Sequence, residues 1–337
     1  MKDNISDLFK KVRINKGNLI SIVLPVYNEE ISVLFVLKEF TNYLPLKHSN
    51  YNFEITFIDD CSTDNSYEII SKFSKNSCQN VKFSVVQLSR NSGSHIAITA
   101  GLNISRGDFT IIMASDGQDP TNVVTKLIIE WERGSDLVLA SRFDNLDHGA
   151  LAKIFSKIAW KIMNWSTKIN MPETGCDLLG MDKIVVNAFN NMDERNTTFI
   201  YRILSLGFKT KEIQYTKNPR FAGQSKWTTL KKIGIIIDAM TGFSNRPLKL
   251  ITNLGLLVFL TLIVRWLYAV FQIYVLNIEP NELTIILNTI FTALALQVLI
   301  LGVIGDYIWR ILDETRKRPI YEIRKVDGDI FENFKQD

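Results

Sequence analysis

Short apolar runs alternate with helical patterns along the first half of the chain, and this alternation restricts the possible folds more than any other feature. The predicted strands are Leu19–Val26, Phe53–Asp59, Val81–Leu88, Asp108–Ala114 and Asp136–Ser141. The predicted helices between them are Glu29–Leu44, Asp64–Ser74, His95–Ser105 and Asn122–Arg133. Such an order predicts an α/β domain with a mostly parallel sheet and helices on both of its faces.

Acidic and amide residues follow three of these strands. The segments are PVYNEE at 25–30, DDCSTD at 59–64 and SDGQDP at 115–120. In open parallel sheets ligands bind beyond the carboxyl ends of the strands, so the three segments are predicted to share one crevice. Taken singly, each has an ordinary explanation as a helix cap or a turn. Their repetition at successive strand ends favours a binding site.

Composition and motifs exclude several function classes. The 39 basic residues against 35 acidic ones give a net charge of only +4, which offers no support for a nucleic-acid partner. The three cysteines, Cys61, Cys78 and Cys176, lack C-x-x-C spacing, which argues against a disulfide scaffold or a zinc site and indicates a reducing compartment. No G-x-G-x-x-G and no P-loop motif follows the first strand, so dinucleotide oxidoreductases and P-loop nucleotidases lose support.

Two long apolar runs lie near the carboxyl terminus. Leu254–Leu276 covers 23 residues and Thr284–Ile304 covers 21, and a membrane-spanning helix needs roughly 20. They predict a two-helix transmembrane hairpin, with a pair of buried core helices as the alternative. Basic residues flank the pair on both sides, whereas the loop between the runs has none. By the positive-inside rule both ends face the cytoplasm. Because the first residues lack an apolar segment, no signal peptide is expected.

Two further features accompany the apolar runs. Thr228–Lys249 has an apolar face and a basic face, which is typical of an interfacial helix on anionic lipid or of a helix packed on the soluble domain. Arg265 lies midway along the first run, where it either has a functional partner or snorkels toward the interface.

Several motifs together resemble one known family. They are IVLPVYNEE, FIDDCSTDNS, LSRNSGSHIAITAGL and MASDGQDP, followed by GCDLLGMD, DERNTTFIYRILSLGF, RFAGQSKW, FSNRPLKL and LGVIGDYIWRILDETRKRPIY. The first four resemble the nucleotide-sugar domain of family 2 glycosyltransferases with the GT-A fold. In this order, with two predicted spans, the whole set is similar to membrane-anchored polyprenyl-phosphate glycosyltransferases, including bactoprenol glucosyltransferases and dolichol-phosphate mannose synthases. The resemblance runs from Leu19 to Tyr321.

The resemblance implies an architecture and a reaction. Residues 1–227 would form a cytoplasmic, Rossmann-like GT-A domain, 228–249 a juxtamembrane helix, 250–309 the two spans and 310–337 a cytoplasmic tail. The implied reaction is inverting transfer of one sugar from a nucleotide diphosphate sugar to polyprenyl phosphate, at the cytoplasmic face of the cell membrane. The chain would be an integral membrane protein, and its relatives often form tetramers.

The resemblance also implies roles for individual residues on the donor side. Five residues match positions that hold the base and ribose of the donor: Pro25, Tyr27, Glu29, Asp59 and Asp60. Asp116, with Gln118, matches the metal motif that holds Mg²⁺ or Mn²⁺ against the diphosphate and so serves catalysis. The motif departs from the family pattern at Ala114, where its first aspartate belongs.

On the acceptor side, Asp177 matches the position assigned as catalytic base or acceptor organiser. A lipid phosphate is already an anion, so we expect Asp177 to orient it more than to deprotonate it; the alternative is an aspartate that begins a strand. The family's arginine two residues later is Leu179 here. Positions predicted to bind phosphate and acceptor are Arg142, Arg220, Ser225 and Lys226. For the three basic residues, Arg142, Arg220 and Lys226, a solvated surface position is the alternative.

Two other functions are alternatives to a polyprenyl-phosphate glycosyltransferase. A processive polysaccharide synthase usually has more spans and a Q-x-x-R-W motif, whereas the Arg-Trp pair at 265–266 follows Leu262 instead of glutamine. A catalytically silent adaptor that retains sugar-nucleotide binding would explain Ala114. Retention of Asp116 and Asp177 argues against that reading.

Overall fold

The structure is a computed structural model. It describes residues 17–75, 80–142, 176, 178–192, 199–218, eight positions between 257 and 274, 282–316 and 318–328. The described strands are β1 Leu19–Val26, β2 Asn52–Asp59, β3 Val81–Leu88, β4 Phe109–Ile112, β5 Leu137–Arg142, β6 Leu178–Asp182, β7 Thr210–Tyr215 and β8 Ile323–Gly328. The described helices are α1 Glu30–Lys47, α2 Ser66–Ser74, α3 Ser94–Ile104, α4 Asn122–Glu132, α5 Lys183–Asn190, α6 Phe199–Ser205 and α7 Glu282–Arg316.

The described strands form one mixed eight-stranded sheet in the order β7-β5-β6-β4-β1-β2-β3-β8. Strands β4, β1, β2 and β3 run parallel to their neighbours in this group, and β5 is parallel to β7. Strand β6 is antiparallel to both β4 and β5, and β8 is antiparallel to β3. The parallel centre therefore brings the carboxyl ends of β4, β1 and β2 side by side.

Both faces of the central strands are buried, because consecutive side chains on a strand point to opposite faces. Ile22 and Leu24 of β1 pack with α1 and α4 in the larger core cluster, whereas Val23 packs with Ala97 and Ala100 of α3 on the other face. Residues of α5 and α6 join α3 on that second face. Apolar runs that are buried on both faces are what the first predicted strands showed, and this pattern accounts for the doubly covered sheet.

The predicted α/β fold with a mostly parallel central sheet is confirmed. The five predicted strands agree with β1 to β5 to within two residues at each end, and the four predicted helices agree with α1 to α4 to within three. Strands β6, β7 and β8 were not predicted. The last of these lies inside the segment 310–337, which was expected to be only a tail.

Helix α7 contains the whole of the second apolar run and continues twelve residues beyond Ile304, to Arg316. Most of the first run, 254–276, is outside the described residues. Within the part of the chain that the structure describes, no helix meets the combined length and hydropathy requirement for a bilayer crossing.

The packing of the core can be tested by replacing Trp131. Its ring stacks on Phe109 of β4 at 4.7 Å between centroids, and its Nε1 donates to Asp182 Oδ2 at 2.7 Å. Replacing it by alanine opens a large cavity, so Trp131→Ala should lower the free energy of unfolding by about 3–5 kcal/mol in denaturant titrations. Ile129→Ala on the same helix is the control, because Ile129 is 39% exposed. Equal losses in the two variants would contradict this view of the core.

Candidate active site

Direct hydrogen bonds join the ends of β4, β1 and β2. Ser115 Oγ, just beyond β4, donates to the carbonyl oxygen of Pro25 at 2.7 Å. The backbone N–H of Asp60, just beyond β2, donates to the carbonyl oxygen of Val26 at 2.8 Å. The three polar segments predicted to share a crevice are therefore neighbours at the carboxyl ends of the parallel strands.

Asp60 connects these strand ends to the amino terminus of α3. Its two carboxylate oxygens accept the N–H groups of Ser92 and Gly93, each at 2.7 Å. Gly93 has φ +92°, a conformation that glycine adopts without strain. Burial raises the pKa of Asp60 and the nearby Asp59 adds to this, while the two backbone N–H groups oppose the shift. Asp60 is itself only 3% exposed, but a carboxylate has room for about four hydrogen bonds, so its two N–H partners leave capacity for a further donor.

Asp59 is fully buried and organises the turn beneath the crevice. Its Oδ2 accepts Gln87 Nε2 from β3 at 2.9 Å, and both of its oxygens accept the N–H of Ser62, at 3.2 and 3.3 Å. These contacts indicate that Asp59 shapes the site from within, although it was predicted to hold the donor directly. No sequence motif indicated that Gln87 would be its partner.

The segment that follows β1 is fastened to the segment that follows β2. Asn28 N–H donates to Ser62 Oγ at 2.9 Å, and Thr63 N–H returns a bond to Asn28 Oδ1 at 2.8 Å. Glu29 N–H donates to Ser66 Oγ at 2.9 Å. Because backbone groups of one loop bond side chains of the other, the two loops form a single frame.

Three predicted donor-binding residues lie at the end of β1 and in the loop that follows it. Pro25, Tyr27 and Glu29 are all partly exposed along the crevice edge. Glu29 precedes α1 and its Oε2 accepts Ser32 Oγ at 3.0 Å. The frame also has two residues with left-handed backbone, Asn28 at φ 52° and Cys61 at φ 59°. Such conformations are uncommon outside glycine and concentrate at functional sites.

Asp116 lies in a tight turn after β4. Its Oδ1 accepts the N–H of Gln118 at 3.1 Å, and Gly117 between them has φ +73°. Asp116, Gln118 and Ala114 are all partly exposed. Among the described residues no group of three or more His, Cys, Asp or Glu is arranged to hold a metal ion. One carboxylate and one amide oxygen nevertheless fit Mg²⁺, which is often held by one or two carboxylates together with phosphate oxygens and water.

Asp119, which follows this turn, is buried and contacts residues at the end of β7. The sequence did not reveal this supporting role. Asp119 Oδ1 accepts Tyr215 Oη at 2.8 Å and lies 3.6 Å from Lys217 Nζ. The N–H of Asn218 donates to the carbonyl oxygen of Gln118 at 2.8 Å. These contacts hold the end of β7 against the loop that carries Asp116.

Most of the residues predicted for the acceptor side are not among those that the structure describes. Asp177, Arg220, Ser225, Lys226 and Arg265 lie outside the described residues, as does the side chain of Arg142, which ends β5. Leu179 is described: it is fully buried in β6, within the core cluster that contains Met181. At this position the chain therefore has a core residue where its relatives are expected to have arginine.

His95, in the first turn of α3, packs against α6. Its ring lies 5.4 Å from the ring of Phe199 in α6, and burial lowers its pKa from 6.5 to about 4.

Comparisons with known proteins identify the family. The family described as "Glycosyl transferase family 2" matches residues 21–188. The chain is 33% identical over 312 residues to the prophage bactoprenol glucosyl transferase homolog of Escherichia coli, covering 91% of this chain and 99% of that one. It is 31% identical over 314 residues to the uncharacterized glycosyltransferase YkcC of Bacillus subtilis, covering 91% and 94%. The protein belongs to glycosyl transferase family 2 and is a glycosyltransferase.

A solved structure supports the fold independently. Mannosyl-3-phosphoglycerate synthase from Rubrobacter xylanophilus superposes with a TM-score of 0.50 at 13% identity, covering 68% of this chain and 75% of that one. At so low an identity the likeness concerns the fold alone, and it agrees with the GT-A-like α/β architecture.

The buried imidazole gives a pH prediction. Because the folded pKa of His95 is lowered, the unfolded chain binds more protons between pH 6.5 and 4, and stability should fall as the pH falls through that window. The loss attributable to this residue is at most about 3 kcal/mol. In His95→Gln the free energy of unfolding should depend less on pH across that window, as measured by denaturant titration at each pH. An unchanged pH dependence would contradict the burial of this ring.

Proposed function

We propose that the protein transfers a single sugar, with inversion, from a nucleotide diphosphate sugar to polyprenyl phosphate at the cytoplasmic face of the cell membrane. The observation that carries this proposal is the hydrogen-bonded meeting of the β4, β1 and β2 ends, through Ser115 with Pro25 and Asp60 with Val26. Because these strand ends are neighbours, they support a shared crevice for the segments that resemble the family's donor motifs. The name of the Escherichia coli relative, a bactoprenol glucosyl transferase homolog, supports a polyprenyl acceptor.

The donor half of the site follows from acceptor-rich groups at the crevice. Pro25, Tyr27 and Glu29 line its β1 side, and Asp60 offers carboxylate oxygens from the β2 side. Such oxygens accept hydrogen bonds from base N–H groups and ribose hydroxyls. Since the hydrogen bonds of the frame are made between the chain's own residues, we expect little ordering to be required when the nucleotide binds, which favours affinity.

Asp116 and Gln118 would hold a divalent cation, Mg²⁺ or Mn²⁺, at the diphosphate. When bound, such an ion stabilises the negative charge that develops on the leaving diphosphate. The backbone N–H of Gln118 fixes Asp116 Oδ1, and Asp119 fixes the loop from behind. The protein's own contribution is thus a preoriented carboxylate at the position where charge accumulates.

The proposed chemistry needs no proton transfer from the acceptor. An oxygen of the lipid phosphate attacks the anomeric carbon while the bond from that carbon to the diphosphate breaks, and the nucleoside diphosphate leaves with the electron pair. Since the acceptor is already anionic, Asp177 would orient it. Arg142, Arg220 and Lys226 would offset the negative charge of the two phosphate groups, and the Ser225 hydroxyl would donate a hydrogen bond to a phosphate oxygen. One displacement inverts the anomeric centre.

Membrane attachment is supported by the exposed apolar side chains of α7. This helix spans 35 residues, about 52 Å at 1.5 Å per residue. Exposed apolar residues recur along it at spacings of three, four or seven positions: Leu287, Ile290, Leu294, Leu301, Ile304, Ile308 and Ile311. A stripe of that length is too large to leave in water. We propose that it lies among lipid chains as part of the two-helix hairpin, in a homo-oligomer such as a tetramer.

A sugar-nucleotide-binding adaptor without turnover is the second candidate, and Ala114 is the observation that favours it. Its N–H lies 3.4 Å from Asp119 Oδ2, and its side chain cannot ligate a cation. An adaptor would bind nucleotide and leave the lipid unmodified.

The decisive experiment supplies membranes containing the protein with polyprenyl phosphate and a panel of radiolabelled nucleotide sugars. We expect one donor to label the lipid fraction, and we expect a chelator to abolish the labelling. Nucleotide binding without labelled lipid from any donor would establish the adaptor instead. Labelling that survives the chelator would overturn the metal proposal and leave the transferase standing.

Asp116→Asn tests the catalytic role of the turn after β4. Loss of the charge should reduce labelled lipid by about 10²- to 10³-fold, comparable to the loss of other groups that stabilise transition-state charge. Asp108→Asn is the matched control, because Asp108 lies at the opposite end of the same strand and its acceptor bond to Leu19 N–H survives in asparagine. Thermal unfolding of both variants should match the wild type. Wild-type turnover in Asp116→Asn would refute the role of Asp116.

A further inference from the structure

Strand β8 forms the edge of the sheet beside β3 and reaches the candidate donor site. Val86 pairs with Val326 and Gln87 with Lys325, and the register shifts at the next residue of β3. Beyond that shift, Ser89 N–H donates to the carbonyl oxygen of Glu322 at 2.8 Å. The carboxyl-terminal segment therefore binds the start of the loop 89–93, which connects β3 to α3.

This loop and the end of β3 supply the partners of both acidic residues after β2. Ser92 and Gly93 give their N–H groups to Asp60, and Gln87 gives its side-chain N–H to Asp59. Cys61 Sγ also contacts the carbonyl oxygen of Ser89, at 3.8 Å. The end of β3 and the loop 89–93 therefore contact the donor crevice on one side and the carboxyl-terminal segment with β8 on the other. The shape of the crevice thus depends on how β8 positions them.

Side chains on both faces of the sheet fix β8 in place. On one face, Asp327 Oδ2 accepts Tyr67 Oη at 2.7 Å and Ser71 Oγ at 3.0 Å, both from α2. Burial and the bond to Asp327 raise the pKa of Tyr67, so its hydroxyl remains a donor. On the other face, Tyr321 Oη accepts Asn103 Nδ2 at 2.9 Å, and its ring packs on the cluster that contains Val86.

We propose that residues 321–327 act as a positioning segment for the donor site, with Asp327 as its main attachment, so that donor affinity depends on how this segment is docked. The segment begins five residues after α7 ends at Arg316. The placement of that helix relative to the sheet and the shape of the loop 89–93 are therefore linked through a few residues. The inference rests on the proposed function, because it takes the crevice to be the nucleotide-sugar site.

Asp327→Ala in the full-length protein tests this role with two measurements. The first is binding of uridine and guanosine diphosphate by calorimetry, together with KM and kcat for the donor that labels lipid. Loss of two hydrogen bonds should weaken nucleotide binding and raise KM about tenfold, with kcat changed less than about twofold. The second is the rate of Cys61 alkylation without nucleotide, read by mass spectrometry of its peptide, which should rise at least about threefold as the loop 89–93 loosens.

Three further variants make the test specific. Asp327→Asn keeps an acceptor oxygen and should restore most of the affinity, whereas Arg324→Ala, exposed on the same strand, should behave as wild type. Should Asp327→Ala fail to fold, Tyr67→Phe removes one of the two bonds while its ring remains, and an intermediate loss is expected. Wild-type affinity and wild-type Cys61 reactivity in the folded variant would overturn the inference. Failure of the wild type to bind either nucleotide would instead overturn the proposed function, and the alkylation rates would still decide whether β8 positions the loop.

Discussion

The parallel pairing of β4, β1 and β2 is the constraint on which the candidate site depends. Parallel strands end at a common edge, so three polar segments that are far apart in the chain become neighbours there. Their backbone groups then require partners, since buried N–H and C=O groups are rarely left without one. Ser115, Asp60 and the loops after β1 and β2 meet that requirement with one another, which makes the crevice a preformed frame.

The sequence predicted the centre of the sheet well and its borders poorly. Strands β1 to β3 are long, apolar and buried, so their pattern is clear from composition alone. Strand β7, TKEIQY, and strand β8, IRKVDG, are mostly exposed or partly exposed and contain two and three charged residues respectively, a composition common in edge strands and easily taken for a loop. Their pairing is decided by contacts with distant residues, such as Asp327 with Tyr67, which no local pattern contains.

The residues of the candidate site were also predicted better than their contacts. Motifs identified Asp59, Asp60 and Asp116, but motif matching could not distinguish a carboxylate that faces a ligand from one that supports the turn. Asp59 is enclosed by Gln87 and Ser62, and only the folded arrangement reveals this. Similarly, Leu179 departs from the family pattern at a position that is fully buried here, which explains why an aliphatic side chain is tolerated in β6.

The contacts of Asp119 limit how enzymes of this class can change their acceptor. A single enclosed carboxylate secures both the turn bearing Asp116 and the end of β7, and the chain continues from Asn218 directly toward Arg220 and Lys226. Under the proposed function Arg220 and Lys226 bind the lipid phosphate, so natural variation in this stretch that changes lipid recognition would also disturb the carbohydrate half of the reaction. Divergence toward new acceptors should therefore proceed by paired replacements across this junction rather than by independent changes on either side.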